Sequence, residues 1–211
     1  MRISSNRNDF IDTWLVEMPM GIDETDYYEQ IVQNIKEKIQ HNAEVIKLPN
    51  NLYKIQGHQI VLYWYELNEK ITLCAELDIR PQGLRVNMIS KNKDFNNKPP
   101  YASDLYNAIL NDSNRPIRIE SDTQLSEKGY AIWKRLYRMG NKITVYDPTN
   151  PGQTYHTLNS IDDMDNFIKY KDSLYKKYQF ILSKDGEMLS ESRIFFNNRR
   201  FRELAGLDLE D

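Results

Sequence analysis

Residues 59–90, QIVLYWYELNEKITLCAELDIRPQGLRVNMIS, decide the fold. They read as β-rich runs over 59–67, 70–80 and 83–90, separated only by Asn68-Glu69 and by Pro81-Gln82-Gly83. Turns this short force successive strands to pair antiparallel, so the stretch is a meander. Tyr63 and Tyr65 alternate with Leu62, Trp64 and Glu66, and Leu73, Ala75, Leu77 and Ile79 alternate with Thr72, Cys74, Glu76 and Asp78. A period of two gives the sheet two distinct faces.

Upstream, residues 44–55 form another strand-like run, broken at Pro49-Asn50-Asn51 and joined to the meander by Gln56-Gly57-His58. Before it, Tyr28, Ile31, Val32, Ile35 and Ile39 recur at helical spacing, which predicts an amphipathic helix over 26–40. Residues 12–18 (DTWLVEM) read as a first strand, stopped by Pro19 and Gly21. Downstream, 91–100 (KNKDFNNKPP) is a polar loop, and 101–110 has helical periodicity. A strand over 117–120 comes next, then a helix over 125–139 capped by Ser126 and ended by Gly140. Residues 142–147 read as a strand, 148–152 as a turn, and 155–158 as a further pairing segment. Ser160 caps a helix over 161–170, and 178–183 is a last strand. The expected fold is α+β: a mixed, mostly antiparallel central sheet with helices on both faces. One domain over 1–184 carries it, followed by a tail over 185–211.

The bulk composition bounds the function. The chain has 211 residues, 40% of them hydrophobic, enough for a sizeable core. A net charge of −3 supplies no global basic field for nucleic acid. The one cysteine, Cys74, allows no internal disulfide. Residues 1–10 are polar and lack the apolar core of a signal peptide, and no run is long enough to span a membrane, so a cytoplasmic placement is expected. The abundance of Asn, Ile, Lys and Tyr hints at an AT-rich bacterial or phage genome.

The order strand, helix, meander, loop, helix, strand, helix, strand resembles the GNAT superfamily of acyl-CoA N-acyltransferases. Three segments carry the resemblance: Ala102-Ser103-Asp104-Leu105-Tyr106, Ile119-Glu120-Ser121-Asp122, and residues 131–142 (AIWKRLYRMGNK). The last looks like the family's A-x-x-L-Y-x-x-x-G-F segment, with different spacing and with Asn141 in place of Phe. The resemblance implies that acyl-CoA binds with its pyrophosphate where a loop opens a helix, because free N–H groups and the helix dipole meet there. The corresponding residues are Asn97, Lys98, Tyr101, Ala102 and Ser103. The family's loop glycines are replaced by Pro99 and Pro100, which have no N–H to donate. Lys91, Lys93 and Lys98 could hold phosphate as point charges instead. Tyr137 falls where the family's general-acid tyrosine lies, and Glu76, Asp78 or Glu66 of the meander would supply a base.

The sequence admits two functions. One is a diverged N-acyltransferase acting on an unknown small-molecule amine. The other is a non-catalytic module with the same fold, binding a protein partner or nucleic acid through the tail, where Arg199, Arg200, Phe201 and Arg202 mix cations with an aromatic ring. His41, His58 and His156 have no metal-ligand spacing, so no metal is expected. No nucleotide-binding glycine motif of the G-x-x-x-x-G-K-[ST] or G-x-G-x-x-G kind occurs.

Overall fold

The computed structural model describes residues 24–81, 83–112, 118–122, 125, 127–147, 156–167 and 178–183. The expected first strand over 12–18, the Ser126 cap, the turn over 148–152 and the tail with Arg199, Arg200, Phe201 and Arg202 lie outside the described residues.

Helix α1 (Glu24–Gln40) precedes β1 (Val45–Leu48), β2 (Leu52–Gln56), β3 (Ile60–Leu67), β4 (Lys70–Arg80) and β5 (Gly83–Lys91). These five strands pair in sequence order, each antiparallel to the next. The β3–β4 turn is two residues long, and Asn68 and Glu69 take φ of 50° and 60°, the conformation that a tight hairpin of this length demands. Helix α2 (Ala102–Asn111) then crosses to β6 (Arg118–Glu120), which runs parallel to β5. Helix α3 (Glu127–Arg138), β7 (Ile143–Tyr146), β8 (His156–Thr157), helix α4 (Ile161–Phe167) and β9 (Gln179–Ser183) complete the described chain. The last strand does not extend the edge. It inserts between β6 and β7, giving a nine-stranded, mostly antiparallel sheet in the order β1-β2-β3-β4-β5-β6-β9-β7-β8.

The alternation in the meander becomes two cores. On one face Val61, Tyr63, Leu73, Ala75, Leu77, Leu84 and Ile89 pack with α2 and α3, through Leu105, Tyr106, Ile109, Ile132, Trp133 and Leu136. On the other face Leu62, Trp64, Cys74 and Met88 meet Tyr27, Ile31, Val32 and Ile35 of α1. Helices therefore cover both faces, as the two-sided apolar pattern requires. Ile39, expected in the core, is 46% exposed, and Tyr27 rather than Tyr28 begins the buried row of α1. The Tyr106 and Trp133 rings meet edge to face at 5.5 Å and tie α2 to α3. Among the described residues, no helix is long and apolar enough to cross a membrane.

Strand β5 has two irregularities that separate it from its neighbours. Its pairing with β6 lasts two rungs, Leu84 with Ile119 and Arg85 with Glu120, and β6 ends at Glu120 while β5 runs on to Lys91. Asn87 is an extra residue against β4, since Glu76 pairs with Met88 and Leu77 with Val86. A bulge of this kind turns the strand locally. Residues 86–91 thus leave the parallel pair, and they lead straight to the loop that opens α2.

Candidate functional site: the opening of helix α2

Tyr101 is the N-cap of α2, and its backbone N–H donates to the Asp104 carboxylate at 2.8 Å. Acidic groups favour this position because the first amides of a helix lack intrahelical acceptors. Ala102 and Ser103 are the first two helical residues, so their N–H groups precede the first intrahelical acceptor. The Ser103 hydroxyl is fully buried and has no hydrogen-bond partner among the described residues. Pro99 and Pro100, which have no N–H, stand just before this opening.

Cations gather around the same point from two segments. Lys91, at the end of β5, places Nζ 4.6 Å from the centre of the Tyr101 ring. Arg135 of α3 places its guanidinium carbon 4.6 Å from the same ring. Lys98 of the loop contributes its backbone carbonyl, which accepts a 2.5 Å hydrogen bond from Lys91 Nζ, while its own Nζ lies 5.9 Å from the centre of the Phe95 ring. The ring therefore receives two cations, an arrangement its electron-rich faces favour. Lys91 is largely buried, and its pKa falls to about 8, first because burial disfavours the charged form and then because Arg135 repels it. Asp104 opposes that fall, and together with burial it raises the pKa of Tyr65. Two cations, Lys91 and Arg135, stand against the one Asp104 carboxylate at the helix opening.

Of the residues singled out in the sequence, Tyr101, Ala102 and Ser103 meet here with the Lys98 carbonyl, while the side chains of Asn97 and Lys98 are exposed on the loop. Lys91, expected in a polar loop, is instead the last residue of β5 and nearly buried. Arg135 has no sequence signal, because helical spacing alone does not tell which loop a side chain will reach.

The expected acid and bases are not brought together. Tyr137 is half-buried against the core that holds α2 and α3. Glu76 and Asp78 point to the opposite face of the sheet. Glu76 accepts a hydrogen bond from Asn34 of α1 at 3.0 Å. Asp78 accepts from Arg80 at 2.5 Å, Arg85 at 3.0 Å and Asn87 at 2.5 Å. With three donors on it, Asp78 is an orienting group for its neighbours, whereas Glu76 keeps an oxygen outside its one described hydrogen bond. Among the described residues, no group of three or more His, Cys, Asp and Glu side chains could hold a metal ion. No protein-family model matches the chain, and no curated protein matches its sequence.

Proposed function

We propose that the opening of α2 holds the diphosphate of an acyl-CoA, and that the protein is a diverged GNAT-like N-acyltransferase. The observation that carries this reading is the convergence of Lys91 and Arg135 on the Tyr101 ring at the first turn of α2, beside a parallel strand pair that stops after two rungs. A helix N-terminus with free amides and flanking cations suits a diphosphate. The cations take over the role that glycine-exposed amides play in the family. The element order and the parallel β5–β6 pair support the same reading, although the sheet is larger than is typical of that fold.

In this reading the acyl thioester lies in the opening between β5 and β6. A neutral amine attacks its carbonyl, a C–N bond forms, the C–S bond breaks, and the departing thiolate takes a proton. Glu76 is the candidate acceptor of the amine's proton from the α1 face, while Tyr137, half-buried against the other core, does not meet it, so the thiolate takes its proton from water. Asp78 is reassigned from base to positioning residue. Isothermal calorimetry with acetyl-CoA tests the proposal. Saturable binding, weakened about tenfold by Arg135→Gln and displaced by inorganic pyrophosphate, is the expected result. No heat at about millimolar ligand removes the acyltransferase and leaves the second reading. That reading is a binding module of the same fold, and the Asp104 carboxylate and the two prolines at the helix opening favour it.

A further inference from the structure

The α1 face of the sheet carries a line of charges across its middle. Asp78 of β4 pairs in register with Arg85 of β5, and Arg85 with Glu120 of β6. Arg80, Arg118 and Glu76 flank the line. Most of these charges are committed. Glu120 and Arg118 pair with each other. Asp78 is shared by both Arg80 and Arg85, so it balances only one of the two guanidiniums. Glu76 is half-exposed and gives one oxygen, Oε2, to Asn34. Within this cluster, the ion pairs among the described residues leave over one guanidinium of the Arg80–Arg85 pair and the Glu76 carboxylate. The Arg85 Nε–H is shielded from solvent and has no acceptor among the described residues. That donor is unsatisfied within the cluster, a cost the local packing carries.

Opposite charges stand side by side here, because Glu76 and the Asp78 that holds both guanidiniums are alternate residues on one face of β4. A small zwitterion presents the complementary pair of charges. We infer that this cluster binds the ammonium and carboxylate of a free amino acid, with Glu76 on the nitrogen and Arg85 and Arg80 on the carboxylate. Asp78 holds the two guanidiniums in place, and the Asn87 bulge turns its own amide towards Asp78. The cluster sits where β5 and β6 separate, so in the transferase reading the amino acid is the acyl acceptor. That role rests on the proposed function; the binding itself does not.

Nuclear magnetic resonance of the full chain tests it, with the side-chain amides of Asn34 and Asn87 as reporters. The probes are the free L-amino acids, each with its N-acetyl and carboxamide forms, added without acyl-CoA. At least one free amino acid is expected to shift both reporters saturably. Its two blocked forms, and the Glu76→Gln and Arg85→Lys variants, are each expected to bind about tenfold more weakly. Arg80→Ala, at an exposed position, gives a second reading should Arg85→Lys disturb the fold. Reporters unmoved by every amino acid overturn the inference, as do blocked forms that bind equally well or variants without effect. Acetyl-CoA binding without amino-acid binding sinks this site alone. Amino-acid binding without acetyl-CoA binding keeps the site and removes its role as acceptor.

Discussion

Lys54 is fully buried, and it meets Asp112 at 2.5 Å, with the Tyr63 hydroxyl on the same carboxylate oxygen at 2.8 Å. Asp112 is the C-cap of α2, so this pair pins the far end of the helix whose opening is the proposed site. Taking both charges from water is expensive, and removing one leaves the other buried and unpaired. Lys54→Met is therefore expected to lower stability by about 3 kcal/mol in urea denaturation. The double change Lys54→Met, Asp112→Leu should recover much of that loss, because no charge is then stranded. Recovery would show that the pair serves geometry more than stability. Nothing in the sequence marks this network. A lysine inside a strand and an aspartate 58 positions away carry no pairing signal, and only the packing of α2 on the sheet brings them together.

Among the elements, the junction of β5 with β6 bears most on function, and Gly83 explains how it closes. A Cβ added there would lie 2.4 Å from the Arg118 carbonyl oxygen. The strands can approach this closely only because that atom is missing. Gly83→Ala is expected to cost about 1–3 kcal/mol and to lower the melting temperature by several degrees. An unchanged melting temperature would mean that the junction yields easily. Most of the elements are legible from local pattern. Alternation sets the limits of the meander within a residue or so, and capping residues such as Ser160, whose Oγ accepts from the Asp163 N–H, mark a helix start. The insertion of β9 between β6 and β7 is not legible, because strand order depends on long-range pairing that local periodicity does not encode.

Over the whole molecule, the sheet separates two chemically different surfaces. One holds the cationic opening of α2, and the other the Glu76–Asp78–Arg85 cluster. Both groups of residues are partly visible in the sequence. The loop-to-helix pattern points to Lys98, Tyr101, Ala102 and Ser103, and strand alternation points to Glu76 and Asp78. Their separation onto opposite faces emerges only from the packing, with Glu76 against Asn34 and Tyr137 against the other core. Lys91 links the opening of α2 to a measurable pH dependence. Its pKa near 8 lies below the ordinary 10.5 because the folded state disfavours its charge. The folded protein therefore binds fewer protons than the unfolded chain between those values. The resulting penalty is fully present below pH 8 and is relieved as pH rises towards 10.5, so this group makes stability rise with pH across that interval. An anion bound beside Lys91 needs the charged form, so binding must run the other way. The decisive measurement is calorimetric titration of the protein with acetyl-CoA at about pH 7 and about pH 9.5. Affinity should fall about tenfold at the higher pH, and a Lys91→Met variant should bind weakly at both. Binding that ignores pH while Lys91 is intact, or no binding at either pH, would contradict a diphosphate site at the opening of α2.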